Sequence, residues 1–281
     1  MANNIFVKNI LKISKEDFLF KQDELAVEEP LEIRLVYGTE SNRTLKNISI
    51  TMRTPGNDLE LALGFLYTEN IIRNSADLLP ESAKSSKMLF LPENVIQVEL
   101  SYDCNPDIDR LERHFYTSSS CGVCGKSSIE SLKTARMPFL EIGKPLFSKE
   151  LIFGLPELLR HKQDVFEQTG GLHASAIFDK GGNIQFLKED VGRHNALDKI
   201  AGAALLANNL PLSEHILLVS GRASFELVQK AAMMGVPVMA AVGAPSSLAV
   251  QLAEEAGITL IGFLRYDRFN IYCGAERVKM Q

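Results

Sequence analysis

From His173 onward the chain alternates strand-like and helix-like stretches, and this alternation limits the fold more than any other feature. His173 to Asp179 reads as a strand, Lys180-Gly-Gly-Asn183 as a hairpin turn and Ile184 to Lys188 as the return strand. A helix is predicted over Arg193 to Leu206, then a buried strand over His215 to Val219. Two further helix–strand pairs follow, each helix closed by a glycine. They are Ala223 to Met234 with Val236 to Val242, and Ser246 to Ala256 with Ile258 to Phe263. Phe269 to Cys273 reads as a last edge strand. Strands that alternate with helices form a parallel sheet with helices on its faces, preceded here by an antiparallel hairpin.

The first part of the chain is organised differently. Pro30 to Tyr37 and Ile48 to Arg53 alternate apolar and polar residues, with Gly38-Thr-Glu-Ser-Asn42 between them, which predicts a β-hairpin. Leu59 to Tyr67 is an apolar helix with Asn57 or Asp58 as its N-cap, and Val95 to Tyr102 is another strand. A short charged helix is expected over Asp107 to Phe115. Residues 1–116 therefore read as a small α+β domain, 117–147 as a flexible loop and linker, and 148–281 as the α/β domain. Ser148 to Gln168 is expected to be helical, capped by Ser148 and interrupted near Gly154 and Pro156.

The linker holds Thr117-Ser-Ser-Ser-Cys121-Gly-Val-Cys124-Gly-Lys126. Small residues and glycines leave this stretch nothing to pack, so it reads as an exposed, mobile loop carrying two thiols. On residues alone three chemistries stay open. The pair could supply half of a zinc shell completed by Cys104 or His114, although no second C-x-x-C exists. It could be a redox pair, although the strand-to-helix setting of such pairs is missing. It could also be a thiolate that accepts and passes on a group such as sulfane sulfur, with Lys126 favouring the anion.

Three polar turns of the second half each open a helix: Glu189-Asp-Val-Gly-Arg-His-Asn195, Val219-Ser-Gly-Arg-Ala-Ser224 and Val242-Gly-Ala-Pro-Ser-Ser247. Free N–H groups at helix starts attract anions, and ligands of open α/β sheets lie at the carboxyl ends of the strands. Ser220, Arg222 and His194 are therefore candidate ligand contacts for a phosphorylated or nucleotide-bearing molecule, with Asp190 and Arg193 beside them. Ser220, Ser224 and Ser246 could equally serve only as helix caps. Phe263-Leu264-Arg265-Tyr266-Asp267-Arg268 sets two arginines and two aromatics after a strand. Gly171-Leu-His173-Ala-Ser175 resembles the H-x-E of zinc deaminases, but a serine stands where the general acid/base glutamate belongs, which argues against deamination.

Composition excludes several classes. A net charge of -5 gives no general drive toward nucleic acid or anionic membrane, and 46% hydrophobic with 23% charged residues describes a globular chain. The first twenty residues lack the apolar run of a signal peptide, and no segment reads as a membrane span. Four cysteines, Cys104, Cys121, Cys124 and Cys273, are too few for a disulfide framework and suit a reducing, cytoplasmic setting.

Taken together, Thr51-Met-Arg-Thr-Pro-Gly56 with the LELALGFLYTENII that starts at Leu59, Cys121-Gly-Val-Cys124-Gly, Gly170-Gly-Leu-His173, Glu189 to Lys199, Ser220-Gly-Arg222 and Phe269-Asn-Ile-Tyr272 resemble the formate dehydrogenase accessory sulfurtransferases, the FdhD/NarQ family. The resemblance runs from about residue 28 to the C-terminus. It implies a larger domain with a cytidine-deaminase-like, three-layer fold and a mixed sheet, beside the smaller N-terminal α+β domain. It further implies a cytoplasmic sulfurtransferase that takes sulfur from a cysteine desulfurase as a Cys121 persulfide, with Cys124 assisting or relaying. The sulfur then passes to the bis-molybdopterin guanine dinucleotide form of the molybdenum cofactor, carried as cargo, for formate dehydrogenase. By the same resemblance Phe263 to Arg268 binds that cofactor, the protein is a homodimer, and no resident metal is expected. The alternative within the same reading is a carrier or chaperone of the cofactor whose cysteines only tune binding or hold a metal.

Overall fold

The protein was analysed as a computed structural model, which describes residues 4–80, 93–106 and 137–280. Strands β1 (Ile5–Ile13) and β2 (Phe18–Ala26) form a two-stranded antiparallel ribbon that the sequence reading did not anticipate. Strands β3 (Glu29–Thr39) and β4 (Asn42–Arg53) make the expected hairpin, and β5 (Val95–Glu99) joins β3 in parallel to give the order β4-β3-β5. Helix α1 (Asp58–Thr68) lies in one core with this sheet, where Leu61, Leu63 and Leu66 meet Leu31, Ile33 and Leu35. Its predicted side-chain cap is not formed. Asn57 takes a left-handed conformation (φ 58°) and its side chain makes no capping bond.

The larger sheet has the order β12-β11-β10-β9-β7-β8. Its members are β7 (His173–Phe178), β8 (Ile184–Asp190), β9 (Ile216–Val219), β10 (Val238–Ala241), β11 (Thr259–Gly262) and β12 (Asn270–Cys273). Strands β9, β10 and β11 are parallel, whereas β7 and β12 run against their neighbours, so the sheet is mixed. Alternate residues of the central strands serve opposite faces. Ile216, Leu218, Val238 and Ala240 join one core with Ile152, Leu155 and Leu159 of helix α2 (Lys149–Arg160). Leu217, Val219, Met239 and Ala241 face the other core. There they meet α4 (Arg193–Leu206), α5 (Phe225–Met233) and α6 (Ser247–Glu255). Helices on both faces explain why these strands read as uninterrupted apolar runs.

Helix α2 corrects one expectation. It runs through Gly154 and Pro156 unbroken, and the interruption comes at His161 to Gln163, before α3 (Asp164–Thr169). Proline forfeits one backbone hydrogen bond, but burial of Ile152, Leu155 and Leu159 along one face holds the turn together. Ser148 caps the helix as predicted, its hydroxyl accepting from the Leu151 N–H at 3.2 Å.

The N-terminal sheet and the large sheet share a continuous core, joined where α1 crosses α4. Gly64 and Gly202 sit at that crossing. A Cβ on Gly64 would fall 1.7 Å from the Asp198 carbonyl oxygen, and one on Gly202 would fall 1.9 Å from that of Glu60. The helices touch backbone to backbone, which only glycine permits. Two buried ion pairs lie beside that interface, Lys199–Asp190 at 2.7 Å and Lys230–Asp198 at 2.8 Å, and reach the N-terminal unit through Thr54 and Thr68.

A third joint closes the amino ends of the parallel strands. Arg277, 1% exposed, donates to the carbonyls of Lys144, Glu141 and Gly257, each at 2.8 Å, and to the Thr259 hydroxyl at 3.3 Å. Burial pushes its pKa below the ordinary arginine value. No helix among the described residues is long and apolar enough to cross a membrane.

Candidate functional site

The predicted polar turns all arrive at one edge of the large sheet. The turns after β9, β10 and β11 leave the carboxyl ends of parallel strands, and the antiparallel β7 and β8 bring His173 and Asp190 to the same edge. Backbone bonds bind these turns into a shelf: Ser220 N–H to Ala174 O at 2.9 Å, Gly243 N–H to Gly221 O at 2.8 Å, and Phe263 N–H to Gly243 O at 3.1 Å. Gly243 lies under Arg222, where a Cβ would come within 3.0 Å of the Arg222 backbone and Cγ. The shelf thus projects the exposed Arg222 side chain outward.

Each candidate has a distinct place there. The Ser220 hydroxyl accepts from the Ala174 N–H at 2.9 Å and so ties β7 to β9. His194, at the start of α4, points Nε2 toward Glu226 Oε2 at 3.9 Å, an ion-pair distance longer than a hydrogen bond. The imidazole holds the half-buried Glu226 carboxyl down at about 2. Burial, with Arg193 and His194 beside it, pushes His173 below the usual imidazole value, which favours its neutral form. Three polar atoms buried in this corner, Arg193 Nε, His194 Nε2 and Ser224 Oγ, make no hydrogen bond within 3.5 Å, and the latter two lie beside the Glu226 carboxylate. Arg193 Nε can serve an incoming acceptor without first breaking an internal bond.

The segment from Phe263 to Arg268 is split. Phe263 is 42% exposed with φ 52°, and Tyr266 is 83% exposed. Leu264 is fully buried within the core on the α2 face, so it supports the turn and its side chain is withheld from a ligand. Arg265 donates Nη1 to the carbonyls of Val242 (2.7 Å) and Leu264 (2.8 Å), and its N–H to Arg268 O closes the turn. Arg268 lies exposed with Asp267 at 3.8 Å.

One expectation changes. Asp190 was grouped with the ligand contacts, but it is fully buried, and its carboxylate is occupied by Lys199, Thr54 N–H, Gly192 N–H and Asn195. Ser246 is a helix cap, accepting from the Ala249 N–H at 3.2 Å. Glu226 was missed. The available signal was an acidic residue in the first turn of a helix opening a polar strand end. Ser175, standing where a deaminase has its glutamate, is 1% exposed.

Cys121, Cys124, Lys126, His114 and the helix expected over Asp107 to Phe115 lie outside the described residues. The flanks of that segment are described. Ser101, just before it, bonds to Asp77 O, and Ser75 of the same turn bonds Asn208 beyond the end of α4. After it, Pro138 lies against Gly235 ahead of β10, and Glu141 and Lys144 are held by Arg277 ahead of β11. Both roots of the thiol-bearing segment therefore sit at the sheet edge opposite the shelf. The Cys104 thiol is pushed up by burial. Among the described residues no group of three His, Cys, Asp or Glu side chains is placed to hold a metal ion.

Comparison with known proteins gives a consistent result. The sequence model of the FdhD/NarQ family matches residues 26–279. The sulfur carrier protein FdhD of Streptomyces coelicolor is 47% identical over 278 residues, covering 98% of this chain and 95% of that protein. The proteins of that name from Mycobacterium tuberculosis and Sulfurisphaera tokodaii are 44% and 43% identical, each covering 96% of this chain and 97% of the relative. A crystal structure of a putative formate dehydrogenase accessory protein from Desulfotalea psychrophila has the same fold, with a TM-score of 0.75 at 23% identity, covering 98% of this chain and 100% of that one.

Proposed function

We propose, for a chain that belongs to the FdhD/NarQ family, that it carries sulfur for the maturation of formate dehydrogenase. Cys121 takes sulfane sulfur from a cysteine desulfurase persulfide. The Cys121 thiolate attacks the outer sulfur, a new S–S bond forms, the old one breaks, and the desulfurase thiolate leaves. Cys124 assists or relays. The sulfur is handed to bis-molybdopterin guanine dinucleotide, which is cargo: the Cys124 thiolate attacks Cys121 Sγ, the outer sulfur leaves at the sulfide level, and the Cys121–Cys124 disulfide so formed is reduced by an external dithiol. The partners in this reading are the desulfurase and formate dehydrogenase, and the protein works as a cytoplasmic homodimer with a cytidine-deaminase-like larger domain.

The observation that carries the reading is the convergence at one sheet edge of Arg193, His194, Ser220, Arg222 and the Phe263 to Arg268 turn, among unpartnered buried polar atoms. A polyanion with two guanine nucleotides suits that edge. Arg222, Arg265 and Arg268 supply charge for phosphates, and Arg193 Nε has a bond to give. Intact-mass spectrometry after mixing the protein with a cysteine desulfurase and cysteine tests the sulfur step. A gain of about one sulfur atom is expected, and Cys121→Ala is expected to lose it. No gain in the unsubstituted protein, with cofactor still bound, would replace sulfur transfer by a carrier role.

A further inference from the structure

Thr54 belongs to the N-terminal unit, yet all of its polar groups are committed to the start of α4. Its N–H donates to Asp190 Oδ2 at 3.2 Å, its hydroxyl accepts from the Val191 N–H at 3.1 Å, and its carbonyl accepts from Lys199 Nζ at 2.9 Å. The residue is 2% exposed. The same strand end is tied twice more to the turn: Asn195 Nδ2 donates to Met52 O at 2.8 Å, and the Thr51 hydroxyl donates to Asn195 Oδ1 at 3.1 Å.

These bonds fix a direction. Gly192 precedes α4 and offers no side chain as a cap, and its own N–H donates to Asp190 Oδ1 at 2.8 Å, which fixes the turn into the helix. Thr54 holds that carboxylate from one side and Lys199 from another. The next two residues are Arg193, whose buried Nε makes no hydrogen bond, and His194, whose Nε2 lies 3.9 Å from Glu226 Oε2. A buried ion pair adds little net stability over apolar packing. Its geometric demands are strict, and here they fix the backbone from which the Arg193 and His194 side chains leave.

We propose that Thr54 is a positioning residue for the ligand site: from the N-terminal unit it holds the Asp190–Lys199 pair so that Arg193 and His194 meet a phosphate-bearing ligand. This rests on the reading of the shelf as a nucleotide-cofactor site. The molecule contains its own control. Thr68, 1% exposed, makes matching bonds to the second buried pair, donating to Asp198 Oδ1 at 2.8 Å and accepting from Lys230 Nζ at 2.9 Å, and none of them reaches the shelf.

The test is calorimetric binding of GDP to the full chain and to Thr54→Val, Thr54→Ser and Thr68→Val, with thermal unfolding of each. Thr54→Val is expected to weaken GDP by about tenfold, the worth of a hydrogen bond at the site. Thr54→Ser keeps the hydroxyl and is expected to stay within about twofold of the parent. Thr68→Val is expected to lower the unfolding temperature while leaving GDP affinity unchanged. Parental affinity in Thr54→Val, or an equal loss in Thr68→Val, overturns the proposal while leaving the ligand site intact. Failure of the unsubstituted protein to bind GDP overturns both. Should Thr54→Val not fold, Thr51→Val takes its place, and unaltered GDP affinity there overturns the proposal.

Discussion

The two edges of the large sheet use arginine in opposite ways. At the amino edge Arg277 is enclosed, and its guanidinium is spent on three carbonyls and a hydroxyl of the protein. At the carboxyl edge Arg222 and Arg268 stand in solvent on a shelf of backbone bonds, and Arg193 keeps a buried Nε without a partner. Five donors in a fixed planar fork suit both tasks. What separates a joint from a binding contact is whether the surrounding backbone has already filled the fork.

That contrast gives its largest effect at the enclosed edge. Arg277→Ala leaves the Glu141, Lys144 and Gly257 carbonyls without their donor and is expected to cost about 3 kcal/mol or more of stability, read from urea unfolding. A loss below about 1 kcal/mol would break the comparison. Arg222→Ala is expected to do the reverse, weakening GDP by about tenfold with no change in the urea midpoint. A shifted midpoint with unchanged binding would make Arg222 another joint. The smallest effect is sought at Glu226. Its carboxyl is held at about 2 against an ordinary 4.5. The stabilisation this represents is complete above pH 4.5 and is lost as pH falls toward 2. The gap in unfolding temperature between the parent and Glu226→Gln is therefore expected to narrow between about pH 6 and about pH 3. A gap that stays constant would detach Glu226 from His194.

Much of this architecture was legible beforehand, for reasons that differ by element. Helix α4 was placed with the bounds observed, because Gly192 and an apolar run mark its limits. The turns holding His194, Ser220 and Arg222 were found together because chain order alone carries successive parallel strands to the same edge. The β1–β2 ribbon escaped notice because it lacks a buried face. Phe6, Leu19 and Phe20 are all exposed, so no alternation was there to detect. Pro156 misled because packing of Leu155 and Leu159 outweighed the bond it removes. Asp190 and Thr54 could not be assigned from sequence, because a polar residue that binds a ligand and one that binds a distant backbone look alike until the fold brings Met52 to Asn195.

The glycine contact between α1 and α4 also orders events during synthesis. Gly64 leaves the ribosome long before Gly202, and until α4 follows, Leu61, Leu63 and Leu66 have only part of their final surroundings. Contacts between sequence-distant segments form late, and partly folded chains with uncovered apolar faces are the ones that aggregate. The stretch bearing Cys121 and Cys124 is translated within that interval. Its two roots are fixed only once the carboxyl-terminal half has supplied Asn208, Gly235 and Arg277. The body that anchors both flanks of that stretch is therefore completed only after the stretch itself has been made.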